Sequence, residues 1–186
     1  MGTKMNPVEE SLVGCCGIYC GLCTKYQSKA PSRCIGCRLG EQHDWCSIYR
    51  CCVKKKGLIA CIECSEYPCE RYERRLAKYP EDLKTAQENL DRIKKSGLDN
   101  RLKGQRERRL LAENLLDNYN DGRSMSFYCK VCIILPVEVI NRAIEEARGK
   151  FVSNKISDSD MKAKAKLVKS TIQDFALKSG IDLMKR

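Results

Sequence analysis

Histidine and tryptophan occur once each, as His43 and Trp45, and phenylalanine three times in 186 residues. A single histidine takes away the usual general base and leaves a Cys–His nucleophilic pair improbable. No run of eighteen apolar residues occurs, so the sequence offers no membrane span. Met1-Gly2-Thr3-Lys4 leads into no apolar stretch of the secretory kind, which sets the expectation of a cytoplasmic protein. Large aliphatic residues are sparse over residues 1–79, so apolar burial alone does not hold that part together. Small domains of this kind need disulfides or metal as staples.

What the chain has instead is cysteine. Twelve of its 14 cysteines fall between Cys15 and Cys69. From Cys16 the ladder reads Cys16-x3-Cys20-x2-Cys23, then Cys34-x2-Cys37, then Cys46-x4-Cys51, then Cys61-x2-Cys64-x4-Cys69. Disulfides rarely persist in a reducing cytosol, so metal ligation outranks a disulfide framework. A two-residue gap lets two thiolates converge on one ion, about 2.3 Å from each sulfur. Gly17, Gly21 and Gly36 permit tight turns beside the ligands, where backbone amides can donate to sulfur. The candidate ligands are Cys16, Cys20, Cys23, Cys34, Cys37, Cys46, Cys51, Cys61, Cys64 and Cys69. The simplest partition puts Cys20, Cys23, Cys34 and Cys37 on one ion. Four of Cys46, Cys51, Cys61, Cys64 and Cys69 take the other, with Cys16 an alternative ligand, and a crossed pairing stays open. Cys15 and Cys52 each adjoin another cysteine and are read as spare thiols. His43 is a minor ligand candidate, and Trp45 is expected to cover the metal site. Lys54-Lys55-Lys56 reads as a solvated turn.

Zinc is the leading ion, and two are expected, because paired thiolates suit closed tetrahedral sites. Such an ion supplies folding free energy on the order of 10 kcal/mol per site. An iron–sulfur cluster is the competitor. Cys16-x3-Cys20-x2-Cys23 is similar to the radical-SAM spacing, but no βα repeats accompany it and the chain is short for a barrel. The formal net charge is +11. Eight thiolates around two Zn²⁺ carry −4 and bring the protein to about +7. A charge of that size favours solubility and weak polyanion affinity without implying nucleic-acid binding.

The remainder reads as helices. Pro80-Glu81-Asp82 opens one, with Leu83, Ala86, Leu90 and Ile93 as its apolar stripe and Gly97 as its stop. A second is expected from about Gln105 to Tyr119, burying Leu110, Leu111, Leu115 and Leu116. Between them lies the densest basic cluster: Lys94, Lys95, Arg101, Lys103, Arg106, Arg108 and Arg109. It is either a solvated face or a surface for RNA or the ribosome, and no aromatic residues interleave it as a stacking platform would require. Asp121-Gly122-Arg123 signals a turn. Phe127 to Leu135 reads as a buried strand or an apolar helix, with Cys129 and Cys132 as core packing or half of a third site. Pro136 opens another helix, with Val137, Ile140, Ile144 and Ala147 on one face and Gly149 as its stop. The last helix follows Ser157 as N-cap, carries Met161, Ala165, Val168, Ile172 and Phe175, and closes at Gly180.

Cys16-Gly-Ile-Tyr-Cys20-Gly-Leu-Cys23, Cys34-Ile-Gly-Cys37, Cys46-Ser-Ile-Tyr-Arg-Cys51 and Cys61-Ile-Glu-Cys64-Ser-Glu-Tyr-Pro-Cys69 resemble a cysteine-rich family of bacterial and archaeal proteins. That family is known as a domain of unknown function, common in anaerobes and methanogens. The resemblance continues through Asp121-Gly122, Phe127-Tyr-Cys129 and Leu135-Pro136 into the closing helix. It implies zinc binding and brings no established reaction.

The sequence therefore predicts a mainly α protein with a small, irregular, Cys-rich metal-binding module over 1–79 and a helical part over 80–186 packed on it. The expected function is non-catalytic: zinc sites that present a surface to a protein or RNA partner. The alternative is an iron–sulfur protein in redox chemistry or cofactor maturation of an anaerobe.

Overall fold

A computed structural model describes residues 11–39, 44–77 and 80–183, the side chains at 76, 80–84 and 98–99 excepted. His43 and the side chain of Leu83 lie outside the described residues. The chain is mainly helical, as predicted, and no strand occurs among the described residues. It divides into two compact units, Met1–Arg106 and Glu107–Arg186.

The first unit holds the cysteine ladder in short, irregular pieces. A 3-10 turn spans Cys20–Leu22, and α1 follows at Thr24–Gln27. Helix α2, Ser47–Tyr49, widens into a π turn over Arg50–Lys55 that carries Cys51 and Cys52. Such wide turns often mark functional sites. A second 3-10 turn, Cys61–Glu63, precedes α3, Glu70–Leu76.

Helix α4 is a helical run from Pro80 to Tyr119 that contains the boundary between the units. Gly97, at φ 78° and ψ 162°, breaks it as expected of a stop. The helix resumes directly after the glycine rather than near Gln105. Leu102 and Gln105, both buried, anchor these extra turns. In the first unit Ala86 and Leu90 of α4 join a core with Cys15, Cys16, Ile48, Tyr49 and Tyr72, while Ile93 packs on it half-buried. The Cys-rich segment thus shares an apolar core with α4, made in part of its cysteines.

The second unit contains α5 (Met125–Ile134), α6 (Val137–Ser153) and α7 (Met161–Lys178). The Phe127–Leu135 stretch is thereby a helix, and Cys129 and Cys132 are core residues on it. Burial pushes the Cys132 thiol up to about 12. Helix α6 buries Val137, Ile140, Ile144 and Ala147 on the expected face. It runs past Gly149 to Ser153, and the chain reverses at Lys155 with φ 52°. A lone glycine costs a helix only about 1 kcal/mol, and Phe151 beyond it packs half-buried against Tyr119. Helix α7 is capped by Asp160, whose side chain accepts from the Ala163 amide at 3.0 Å, and not by Ser157. Leu110 is 51% exposed rather than buried, and Ala112 takes the inward position beside Leu115 and Leu116.

Candidate metal centre

The ladder begins in a tight loop. The Gly17 amide donates to the Gly14 carbonyl at 2.9 Å, and the Cys20 amide returns to the Leu12 carbonyl at 2.7 Å. Gly17 has φ +92°, and a Cβ there would collide with the Ala86 carbonyl oxygen. Only glycine lets the loop lie this close to α4. Tyr72 donates from its hydroxyl to the Cys16 carbonyl at 2.9 Å, and Asn89 donates to the Gly17 carbonyl at 2.7 Å.

These restraints bring the ladder's first thiols together. Cys20 Sγ and Cys37 Sγ stand 3.8 Å apart. Two sulfurs about 2.3 Å from one tetrahedral ion are about 3.8 Å apart, so this pair already spans the edge of such a site. Cys16 and Cys34 act electrostatically on Cys20, and Cys37 and Cys46 act on Cys16. Two backbone amides point at sulfur: Gly36 N at Cys34 Sγ, 3.4 Å, and Tyr49 N at Cys46 Sγ, 3.5 Å. Amide donors of this kind stabilise thiolates and fix their direction. The hydrogen bond shared with Cys37 lowers Cys20 below the ordinary thiol range, and the same bond with burial raises Cys37. Burial pushes Cys16 up to about 12. A buried thiol of this sort stays neutral until a cation displaces its proton. Cys23 is half-buried and stands at the N-cap of α1.

The later thiols face a different space. A cavity of about 30 Å³ is lined by Cys51, Cys52, Cys61, Cys64 and Cys69, with Lys56, Glu66 and Tyr67 at its edge. Lys56 Nζ donates to Cys64 Sγ at 3.1 Å and pairs with Glu66 at 2.8 Å. Glu66, then Cys64, hold the Lys56 ammonium above its usual range, and Lys56 holds the Glu66 carboxyl below its own.

The two thiols read as spares are not isolated. Cys15 and Cys52 lie with Cys61 in one buried group whose sulfurs are all within 4.8 Å of one another, a cluster able to hold a metal ion. Hydrogen bonds from Cys15 and Cys61 lower Cys52 well below the ordinary thiol range, and Cys15 is raised in turn. The sequence signal for these residues was the doublet itself. Adjacent cysteines seldom share an ion, but Cys15 joins Cys52 and Cys61 while Cys16 acts with Cys37 and Cys46, and Cys52 of the former group lines the same cavity as Cys51. Trp45 is 87% exposed and covers none of them. All 14 cysteines are free thiols, so no disulfide competes for them.

Residues 12–74 match the model of a family described as a protein of unknown function (DUF3795). The matched segment is the Cys-rich one and contains every thiol from Cys15 to Cys69. No curated protein and no solved structure matches the chain. Among the described residues no helix is long and apolar enough to cross a membrane.

Proposed function

We propose that the protein binds zinc at closed thiolate sites, two ions in all, and that these sites shape a surface for a protein or RNA partner in the cytoplasm. The observation that carries the metal reading is the 3.8 Å separation of Cys20 and Cys37, which belong to different loops 17 residues apart. Amides aimed at Cys34 and Cys46 add donors that a thiolate needs and a neutral core thiol does not. In this reading Cys20, Cys34 and Cys37 belong to the first ligand set, with Cys16, which acts electrostatically on Cys20, taken as the fourth in place of Cys23. Cys51, Cys61, Cys64 and Cys69, which face one cavity, form the second. Zinc there would act structurally, supplying the folding free energy that the sparse apolar core lacks.

The second reading, an iron–sulfur centre, is favoured by the number of thiols around that cavity, which exceeds the four a single zinc takes. The spacing of Cys20 and Cys37 argues the other way. Sulfurs bound to different irons are held apart by the cluster between them, whereas these two are close enough to share one ion. Metal analysis by mass spectrometry on protein purified without air tests the proposal. Two zincs per chain and a colourless solution are expected. A brown solution with broad visible absorbance and stoichiometric iron would replace zinc with the cluster.

A further inference from the structure

Cys15, Cys52 and Cys61 come from three separate segments, yet the backbone fixes them together. The Cys61 amide donates to the Cys15 carbonyl at 2.8 Å, and the Leu58 amide donates to the Cys52 carbonyl at 2.9 Å. Arg38 clamps the same segments. Its Nε donates to the Val13 carbonyl at 3.0 Å and its Nη2 to the Ile59 carbonyl, two residues before Cys15 and Cys61 respectively. The three residues are 3%, 4% and 8% exposed. Packing accounts for a buried cysteine taken singly, since it behaves as a small hydrophobe. It gives no reason for three sulfurs to converge on one point, where their polar S–H groups replace apolar contacts.

We infer that Cys15, Cys52 and Cys61 form a buried site, sharing Cys61 with the cavity's ligand set, for one soft, singly charged ion with a filled d shell, copper(I) in type, bound by three thiolates. Among the described residues no fourth cysteine, histidine or carboxylate joins the group. Zinc in a closed site takes four ligands, whereas thiolate sulfur also selects copper(I), which accepts three in a plane. The geometry is close to that arrangement. Sulfurs no more than 4.8 Å apart lie at most about 2.8 Å from their common centre. Closing to a metal–sulfur distance of about 2.3 Å needs each to move by about half an ångström. The charge is accommodated as well. Three thiolates and one monovalent ion leave two negative charges, which Arg38, and in smaller part Lys56 beyond its pairing with Glu66, offset through their action on Cys52. Cys52 and Cys61 both also line the cavity with Cys51, Cys64 and Cys69, and the Cys61 sulfur keeps lone pairs for a second ion there.

The test is an anaerobic titration of the full chain, as purified, with copper(I) supplied as its acetonitrile complex against a chromophoric copper(I) chelator. Zinc release is followed in the same sample. One tightly held equivalent is expected, with no zinc released and three sulfur neighbours in X-ray absorption at the copper edge. Cys15→Ala and Cys52→Ala are each expected to weaken binding at least tenfold with zinc content unchanged. Cys15→Ser serves as a second variant should either alanine variant fail to fold. Zinc release in step with copper uptake, or unaltered copper affinity in the Cys15 variants, overturns the inference. A protein that carries no zinc removes the function proposed above, while the copper titration still decides this site.

Discussion

Asn89 donates from its side-chain amide to the Gly17 carbonyl at 2.7 Å, and its own Oδ1 accepts from Arg101. Helix α4 thereby holds the turn between Cys16 and Cys20 through a buried polar contact. Because Gly17 sits at φ +92° against the Ala86 carbonyl, a side chain there would have to push the loop off the α4 backbone. Gly17→Ala combines left-handed strain with a backbone collision and should cost about 2–5 kcal/mol. Asn89→Ala leaves a buried carbonyl unpaired and should cost about 1–3 kcal/mol. Denaturant unfolding of the metal-loaded protein measures both, and Gly17→Ala is expected to be the worse. Equal stability of wild type and Gly17→Ala would contradict the packing of this loop on α4.

Lys56 reaches a thiol and a carboxylate at once, 3.1 Å from Cys64 Sγ and 2.8 Å from Glu66. A cation beside a ligand sulfur stabilises the thiolate the ion needs. Outer partners of this kind typically carry 10–100-fold in metal affinity. Lys56→Met is expected to weaken the ion at the cavity by about tenfold in competition with a chelator. Glu66→Gln, which leaves the ammonium in place, should change it far less. If the two variants behave alike, Lys56 acts through its pairing with Glu66 and not on the sulfur.

The helical architecture was legible in the sequence because periodicity reports burial directly. Ala165, Val168 and Ile172 are inward on α7, and Ile140 and Ile144 on α6, where the stripes placed them. End signals misled where packing beyond them outweighed a local preference, as at Gly149. At Ser157 two cap residues competed three positions apart, and Asp160 won by reaching the Ala163 amide. The spacing of the cysteines marked the Cys-rich segment as able to hold a metal ion, and the buried group that could do so is Cys15, Cys52 and Cys61. Which sulfurs share a neighbourhood could not be read from spacing, because that depends on the paths of loops such as 12–20 and 56–61. Gly17 and Arg38 fix those paths through contacts distant in sequence.

Arg108 belongs to the basic cluster by sequence, but its Nη1 donates to the carbonyls of Cys132 and Leu135, both at 2.7 Å. These lie at the C-terminus of α5, where helix carbonyls lack partners and a cation is favoured. Arg108→Ala removes two charge-assisted bonds and should destabilise the protein by about 2–4 kcal/mol. Arg108→Lys should recover part of this, since both bonds leave a single nitrogen and an ammonium carries three donors. Thermal unfolding of both variants is the measurement. An unchanged transition in Arg108→Ala would return this residue to the surface.

Asp121 organises the turn before α5. Its Oδ1 accepts from Ser124 Oγ at 2.6 Å and from the Arg123 amide at 3.1 Å, and its Oδ2 pairs with Lys169 on α7 at 3.7 Å. The Ser124 hydroxyl is the main cause that holds its carboxyl below the usual range. A depressed folded pKa means that the contribution is complete above the unfolded value, about 3.9, and is lost as pH falls through the folded one. Stability should therefore drop with acid below about pH 4, and Asp121→Asn should flatten that part of the curve. The same variant should lose about 1 kcal/mol at neutral pH. Melting temperatures between pH 2 and 7 give both quantities, and a curve of wild-type shape in the variant would assign the acid loss to other carboxylates.

RNA contact through the basic stretch is limited by what its residues already hold. Arg101 bonds Asn89, Arg108 bonds the α5 carbonyls, and Arg109 pairs with Glu113 at 2.7 Å. Lys94, Lys95, Lys103 and Arg106 are exposed, and all four lie in the first unit. Four phosphate contacts with a single strand give a slope of log affinity against log salt of about −3. Replacing all four with glutamine should bring that slope near zero and leave zinc content and melting temperature unchanged. A slope far steeper than −3 would mean that another basic surface carries the binding. Affinity that does not respond to salt would remove RNA from the list of partners and leave the protein surface.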